Sequence, residues 1–154
     1  MTDEAGDAKL LMQRIVEMSQ ADTWEVAKQE WDEDGIEVAF KYGDHRCLCN
    51  HRIQEKCWLR NRLNGTRTYV GNVCIRRFWG LDLALAIDGL RRIYQDIDAA
   101  CNAALITYCY EKHLVNEWEH SFLENTMKKR NLTKLQKAKR RTINCRIITA
   151  LVKE

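Results

Sequence analysis

The chain has 154 residues, of which 45% are hydrophobic and 31% charged, and its formal net charge is +3 at pH 7. These values are typical of a globular domain and exclude a chain that is disordered throughout. No apolar run approaches the roughly 20 residues that span a bilayer, and the acidic N-terminus lacks the features of a signal peptide. We therefore expect a cytoplasmic protein without a membrane partner, in which cysteines stay reduced.

Positive and negative charges alternate along the chain in four blocks. Residues 1–36 carry ten acids against three bases, and residues 45–80 carry eight Lys/Arg against one acid. Residues 81–124 return to eight acids against three bases, and residues 125–153 carry ten Lys/Arg and no acid. The basic blocks can bind a polyanion or neutralise the acidic blocks within the fold, and the charge pattern alone favours neither alternative.

The first part of the chain is predicted to form two helices and a strand. Apolar residues recur with helical spacing over 10–18, and a second short helix starts at an Asp22 or Thr23 cap. The charged run over 32–35 ends that helix. Alternation over 36–42 then predicts a β-strand that ends at Tyr42.

A β-hairpin is predicted around Asn64-Gly65. β-rich runs flank this dipeptide, and Asn-Gly favours a two-residue type I′ turn. If Leu63 pairs with Thr66, Arg60 faces Tyr69. The alternation of the two strands then gives two faces. One face carries Trp58, Arg60, Arg62, Arg67 and Tyr69, and the other carries Cys57, Leu59, Leu63 and Val70.

Helices are predicted for the rest of the chain. A short one runs from Cys74 to Trp79, and Gly80 ends it. Three more follow, over about 82–95, 98–112 and 116–130. The last helix is capped by Asn131 or Thr133 and runs towards Val152.

Four of the seven cysteines fall within 28 residues, in the pattern Cys47-x-Cys49-x7-Cys57-x16-Cys74. Zinc prefers thiolate and imidazole ligands in a tetrahedral shell. Cys47 and Cys49 project to one side of an extended backbone, and Cys74 lies at a predicted helix N-terminus, which favours a thiolate. We therefore predict a structural Zn²⁺ site with the ligands Cys47, Cys49, Cys57 and Cys74, with His51 or His45 as the reserve for the fourth position. Ordinary buried thiols are the alternative.

This order of knuckle, hairpin and helix is similar in outline to treble-clef zinc fingers, although it has C-x-C instead of C-x-x-C and one ligand from the helix instead of two. The predicted fold class is α+β and mostly α. It consists of a small zinc-bound, treble-clef-like β-hairpin module flanked by N-terminal helices and a C-terminal helical bundle. We expect three segments packed as one compact unit: N-terminal helices over 1–35, the zinc module over 36–80 and the helical region over 81–154.

The stretch from Cys47-Leu-Cys49-Asn-His51 to Val70-Gly71-Asn72-Val73-Cys74 resembles the core of small zinc-finger-like proteins that bacteria, phages and other mobile elements encode. Upstream, Trp24-x-x-Ala27-x-x-Glu30-Trp31 fits the same pattern, and downstream Asn116-x-Trp118-Glu119 fits it too, so the resemblance covers most of the chain. It implies a zinc module followed by helices and implies no enzymatic activity. For a phage-encoded chain, the expected location is the host cytoplasm.

Two basic surfaces suggest a function. Arginine neutralises phosphate, and aromatic rings stack on bases. We therefore predict a non-enzymatic protein that binds DNA or RNA through the hairpin face, the short helix after it and one stripe of the last helix. The contact residues are Trp58, Arg60, Arg62, Arg67, Tyr69, Arg76, Arg77, Lys134, Lys137 and Arg141. The alternative for the hairpin face is that the acidic N-terminal helices pair with it, and the alternative for the last helix is a solvated surface.

A protein-interaction module is the second functional hypothesis, for example a phage-encoded inhibitor or modulator of a host protein. A metal-dependent hydrolase is disfavoured, because the sequence has no paired carboxylates, no Gly-rich phosphate loop and no Ser/His/Asp or Cys/His signature.

Overall fold

The computed structural model describes two stretches of the chain, 4–41 and 45–153. Two predictions involve residues outside them: the acidic start of the chain and the end of the predicted strand at Tyr42. The described residues form seven α-helices and a small antiparallel sheet, and about 53% of them are helical. The prediction of a mixed fold with helix in the majority is therefore confirmed.

The chain divides into two compact units, Met1–Asp82 and Leu83–Lys153. The first unit contains, in chain order, α1 (Glu4–Glu17), α2 (Trp24–Ala27), a 3-10 turn (Lys28–Glu30), β1 (Trp31–Val38), β2 (His45–Arg46), β3 (Arg52–Ile53), β4 (Glu55–Asn61), β5 (Arg67–Val70) and α3 (Asn72–Trp79). The second unit contains α4 (Ala84–Gln95), α5 (Ala103–Glu111), α6 (Glu117–Thr126) and α7 (Lys134–Leu151).

The hairpin belongs to a three-stranded antiparallel sheet with the order β1-β4-β5. β1 begins at Trp31, five residues before the predicted strand, because this tryptophan is buried and pairs with Asn61 of β4. The acidic run that we predicted to end a helix therefore lies in a strand. A bulge interrupts this run between Glu33 and Ile36, where Gly35 adopts a φ of +109°. Since β1 begins inside the segment predicted as N-terminal helices, that segment and the hairpin share one sheet.

The register of β4 and β5 differs by two residues from the prediction, and Arg60 pairs with Arg67. The prediction of a two-residue turn is wrong, because the Asn61 side chain caps a longer loop. Its Oδ1 accepts hydrogen bonds from two N–H groups of the loop, at 2.8 and 3.2 Å. Gly65 adopts a positive φ of 74°, as a hairpin loop requires, but the preceding asparagine does not. A shift of two residues keeps each strand residue on its predicted face. Leu63, however, is exposed in the loop instead of lying on the apolar face.

The apolar faces of these elements form the core of the first unit. Fully buried side chains come from α1, from all three strands of the sheet and from α3: Leu11, Ile15, Val38, Leu59, Val70 and Ile75. α3 begins two residues earlier than predicted, and Gly80 ends it in the left-handed region with a φ of 71°. This end of the helix was predicted correctly.

The four helices of the second unit begin and end close to the predicted positions, with two exceptions. α5 starts at Ala103 because the Asn102 side chain caps it, and the Asn144 amide holds the preceding loop through two carbonyls at 2.8 Å each. α6 ends at Thr126 instead of residue 130. α7 begins after a Thr133 cap, one of the two predicted. The core of the second unit consists of Leu90, Ile93, Leu105, Ile106, Ile143 and Ile147.

Candidate metal centre and basic surfaces

A tight turn between β2 and β3 holds the first two predicted ligands, Cys47 and Cys49. The two short strands pair in antiparallel fashion. The N–H of Cys47 donates to the carbonyl of His51 at 2.9 Å, and the N–H of Asn50 donates to the carbonyl of Cys47 at 2.8 Å. Asn50 adopts a φ of 77°, a conformation that asparagine tolerates better than most residues. The C-x-C segment is therefore held rigidly by its own backbone.

α3 supplies a third thiol to this turn. Gly71 caps the helix, and Cys74 is its third residue. The N–H of Gly71 donates to Cys47 Sγ at 3.3 Å, which ties the start of α3 to the turn. The Sγ atoms of Cys47, Cys49 and Cys74 all lie within 4.8 Å of one another, and all three residues are buried. In a tetrahedral shell with Zn–S of about 2.3 Å, sulfurs lie about 3.8 Å apart, so the cluster fits a single shared ion.

Hydrogen bonds inside the cluster set the acidity of its thiols. A hydrogen bond from the Cys74 thiol is the main cause that lowers the pKa of Cys47 to about 6, against the burial that raises it. The same bond raises the pKa of Cys74, the donor. Burial raises the pKa of Cys49. Cys47 is therefore the thiol that deprotonates first, and a bound cation would deprotonate its partners as well.

Cys57, the fourth predicted ligand, does not belong to this cluster. It lies in β4 between Ile36 of β1 and Val70 of β5, and its side chain is fully buried. Burial raises the pKa of its thiol far above the usual value. The side chain points inward, as predicted, but it is part of the core of the sheet.

A cavity of about 550 Å³ adjoins the three clustered thiols, and His51 and Glu55 also line it. His51 Nε2 lies 2.9 Å from a carboxylate oxygen of Asp7. Glu55 Oε1 accepts the N–H of Asn72 at 3.0 Å. The cavity leaves room for a fourth ligand, from one of these side chains or from water. His45, the other reserve, lies in β2 outside the cluster.

Acidic residues of β1 pair with the arginines of the hairpin face. Arg60 and Arg67 face each other on the adjacent strands β4 and β5. Both donate from Nε to Asp34 Oδ2, at 3.3 and 2.8 Å. Arg62 donates to Asp32 at 3.0 Å. The alternative of internal pairing thus fits this face, with the difference that a strand supplies the acids in place of the N-terminal helices.

The aromatic side chains of the hairpin face are also engaged within the sheet. The rings of Trp58 and Tyr69 meet edge to face with centroids 5.0 Å apart. The Arg67 guanidinium lies 3.9 Å from the centroid of Trp58, and the Lys56 ammonium lies 4.9 Å from that of Tyr69. Trp58 Nε1 donates to Glu37 at 2.9 Å. These contacts hold the rings against neighbouring side chains of their own sheet.

The remaining predicted contact residues lie on two helices. Arg76 and Arg77 are exposed in the last turn of α3. Lys134, Lys137 and Arg141 are exposed on α7. Arg141 lies 3.4 Å from an Asp98 carboxylate oxygen, and this is a pair between two exposed side chains.

Arg140 differs from its neighbours, although the sequence contains no sign of it. It stands in a run of basic residues, yet it is buried, while Arg141 beside it is exposed. Its guanidinium donates to the backbone carbonyls of Thr126 and Asp98, which come from the end of α6 and from the loop before α5. Only this tertiary packing distinguishes it.

None of the described helices is both long and apolar enough to cross a membrane. A scan against protein-family models found no match for this chain, and comparisons with curated proteins and with solved structures found none either.

Proposed function

We propose that the chain is a non-enzymatic nucleic-acid-binding protein whose first unit is stabilised by a structural zinc ion. The observation that carries nucleic-acid binding is the basic C-terminal segment, because residues 125–153 contain ten Lys/Arg and no acid. Lys134, Lys137 and Arg141 are exposed along α7. Such a surface binds phosphates and releases the counterions that surround them. The resemblance to zinc-finger-like proteins is consistent with this proposal and remains a prediction.

Zinc is the ion that suits the thiol cluster best. Three buried thiols form a soft ligand set, which selects zinc, Cu(I) or iron–sulfur clusters over magnesium and calcium. A zinc ion there would join the β2–β3 turn to α3 and so stabilise a part of the chain with little regular structure of its own. The nearby Glu55 carboxylate accepts a hydrogen bond from the Asn72 N–H at the start of α3, which supports a structural role for Glu55 too.

The contact surface that we propose is α7 rather than the hairpin face. The hairpin arginines already have Asp32 and Asp34 as partners, so a phosphate would have to displace a carboxylate. On α7, Lys134 and Lys137 make no ion pair among the described residues. Phosphate binding there costs no internal ion pair at these two positions.

Elemental analysis of protein purified without chelators tests the metal. One zinc per chain is expected, and Cys74→Ser should abolish zinc binding because it removes one of three thiols. Cys145→Ser is the matched control, since Cys145 is exposed on α7 and outside the cluster. Cys57→Ala is expected to keep its zinc. A folded wild-type protein without a transition metal, or full zinc content in Cys74→Ser, would contradict the proposal.

Fluorescence anisotropy with labelled single-stranded DNA, duplex DNA and RNA over a salt series tests nucleic-acid binding. Replacing Lys134, Lys137 and Arg141 by alanine is expected to weaken binding by about tenfold or more and to reduce the salt slope by about 0.9 per lost contact. The matched control replaces three hairpin arginines, Arg60, Arg62 and Arg67, and should leave the affinity nearly unchanged. Absence of wild-type binding at low salt, or an equal loss in the control, would refute this surface.

A protein-interaction module is the second candidate, and an exposed aromatic cluster favours it. Trp118 on α6 is 59% exposed, although a tryptophan at helical spacing is expected to pack in the core, and it stacks on Phe122 with ring centroids 5.4 Å apart. Leu135 on α7 is 84% exposed. If oligonucleotides fail to bind, a partner whose capture is lost on Trp118→Ser but kept in the α7 alanine variant would favour this candidate.

A further inference from the structure

A small basic cavity lies beside the start of α7 in the second unit. Its volume is about 230 Å³, far above the roughly 30 Å³ that one water occupies in the liquid. Four cations, one carboxylate and one apolar side chain line it: Lys129, Arg130, Lys137, Arg140, Asp98 and Leu132. The lining therefore carries a clear excess of positive charge in a partly enclosed space.

Arg140 is a buried cation without a counter-charge. The residue is 8% exposed, and no described ion pair includes it. Its Nη2 donates to the carbonyl of Thr126 at 2.8 Å and its Nη1 to the carbonyl of Asp98 at 3.4 Å. Its Nε is buried and has no hydrogen-bond partner. A buried charge with an unused donor is costly unless an anion compensates it.

The other charged groups of the cavity do not supply that anion. The Asp98 carboxylate faces Arg141, at 3.4 and 3.5 Å from Nη1. Lys129 donates to the neutral amide of Gln136 at 3.3 Å. Arg130 and Lys137 are exposed and make no described ion pair. Three flexible cations thus surround a fixed guanidinium, an arrangement suited to a multivalent oxyanion.

We propose that this cavity binds a phosphate group. Phosphate offers several strong acceptor oxygens and about two negative charges, which match the donors and the charge excess of the lining. The group belongs either to a nucleic-acid backbone or to a free phosphorylated small molecule. The first source rests on the function proposed above, whereas the second does not.

Titration of the full chain with inorganic phosphate and pyrophosphate, at constant ionic strength and followed by calorimetry, tests the cavity. Arg130→Ala combined with Lys137→Ala leaves the buried Arg140 in place and is expected to weaken binding by about tenfold or more. The matched control is Arg92→Ala combined with Lys153→Ala, which removes the same charge from the same unit outside the lining. This control should bind both anions as the wild type does.

Asp98→Asn is a second variant, with the opposite expected sign. It removes the one carboxylate of the lining and should tighten pyrophosphate binding by about threefold or more, since like charges repel. A gain of affinity cannot result from misfolding. Three outcomes would each contradict the proposed phosphate site. They are wild-type protein that binds neither anion, an equal loss of affinity in the lining and control variants, and unchanged binding in Asp98→Asn.

A labelled oligothymidylate separates the two sources of phosphate. If Arg130→Ala alone, which lies outside the three α7 contacts proposed above, weakens pyrophosphate and oligothymidylate binding together, the ligand is a nucleic-acid phosphate. If pyrophosphate binding depends on the lining while oligothymidylate does not bind at all, the cavity stands for a free phosphorylated molecule and the proposed function fails. If oligothymidylate binds with a steep salt dependence but the lining variant binds pyrophosphate as the control does, the proposed function stands and the proposed phosphate site is wrong.

Discussion

Gly71→Ala is expected to loosen the metal centre by pushing α3 away from the β2–β3 turn. A Cβ at this position would lie 2.8 Å from Ile53 Cγ2 and 3.2 Å from Glu55 Oε1. The backbone φ of Gly71 is −76°, which any residue adopts, so the effect is purely steric. The residue lies where the two parts of the cluster meet, since its N–H donates to Cys47 Sγ.

The size of the effect follows from the overlap. Carbon atoms pack at about 3.5–4.0 Å, so the new methyl group requires a displacement of about 1 Å between Ile53 and the helix. Overpacking of this kind costs about 1–3 kcal/mol. Because Cys74 moves with the helix, the same displacement separates its thiol from Cys47 and Cys49. We therefore expect zinc affinity to fall by about tenfold, which corresponds to about 1.4 kcal/mol.

Two measurements check this expectation. Zinc affinity is measured by competition with a chromophoric chelator, and the stability of the zinc-loaded protein by urea unfolding. Tryptophan fluorescence reports on the first unit, because four of the five tryptophans lie there. Ile53→Ala removes the atom that the new methyl group would strike, so Gly71→Ala should cost at least about 1 kcal/mol less in that background.

Two outcomes would contradict this prediction. If Gly71→Ala leaves both zinc affinity and the urea midpoint unchanged, the close approach of α3 to the turn is wrong. If the variant is destabilised equally with and without Ile53→Ala, the cost does not come from this contact.

Three further predictions concern other parts of the chain. Asp34→Asn leaves the two paired hairpin arginines without their shared carboxylate and should destabilise the first unit by about 0.5–1 kcal/mol in urea unfolding, less at high salt; a salt-independent cost would exclude an ionic cause. Glu119→Gln should cost about 1 kcal/mol, since it keeps the helix cap but loses the charge that Arg146 contacts at 2.7 Å. Burial raises the pKa of Glu119, but hydrogen bonds from the backbone and from Arg146 outweigh it, and the net pKa lies below 4.5. The stabilisation is therefore complete above about pH 4.5 and is lost as the pH falls through the folded-state pKa, so the wild type and this variant should converge in acid. Gly89→Ala should lower the melting temperature, although alanine favours helices, because its Cβ would overlap the Asn102 side chain that caps α5; a rise in melting temperature would refute that contact.

Local patterns in the sequence predicted the type of most elements correctly. Gly80 ends α3 and Thr133 caps α7, because each of these signals acts within one turn of helix. The start of β1 was wrong because it depends on distant partners. Trp31 is held by the Ser19 hydroxyl at 2.9 Å and pairs with Asn61, thirty residues away. No local signal distinguishes such a strand from the end of a helix.

The candidate metal centre was predictable in part for a similar reason. The spacing of Cys47 and Cys49 and the position of Cys74 near a helix start are local features, and the structure brings these three thiols together. Alternation along the hairpin also indicated that Cys57 points inward. Alternation did not indicate whether the Cys57 side chain borders the metal cluster or lies in the core of the sheet. The structure places it in the core, between Ile36 and Val70. Which inward residues border the turn is fixed only by how the sheet packs.

The position of β1 at the border of its sheet bears on the solubility of the chain. Within the described part of the chain, β1 has a strand neighbour on one side only, and such strands tend to recruit a strand from another molecule. Four of its eight residues are acidic: Asp32, Glu33, Asp34 and Glu37. Two copies aligned along this border would bring acidic residues side by side, and we expect this to oppose fibre-like association.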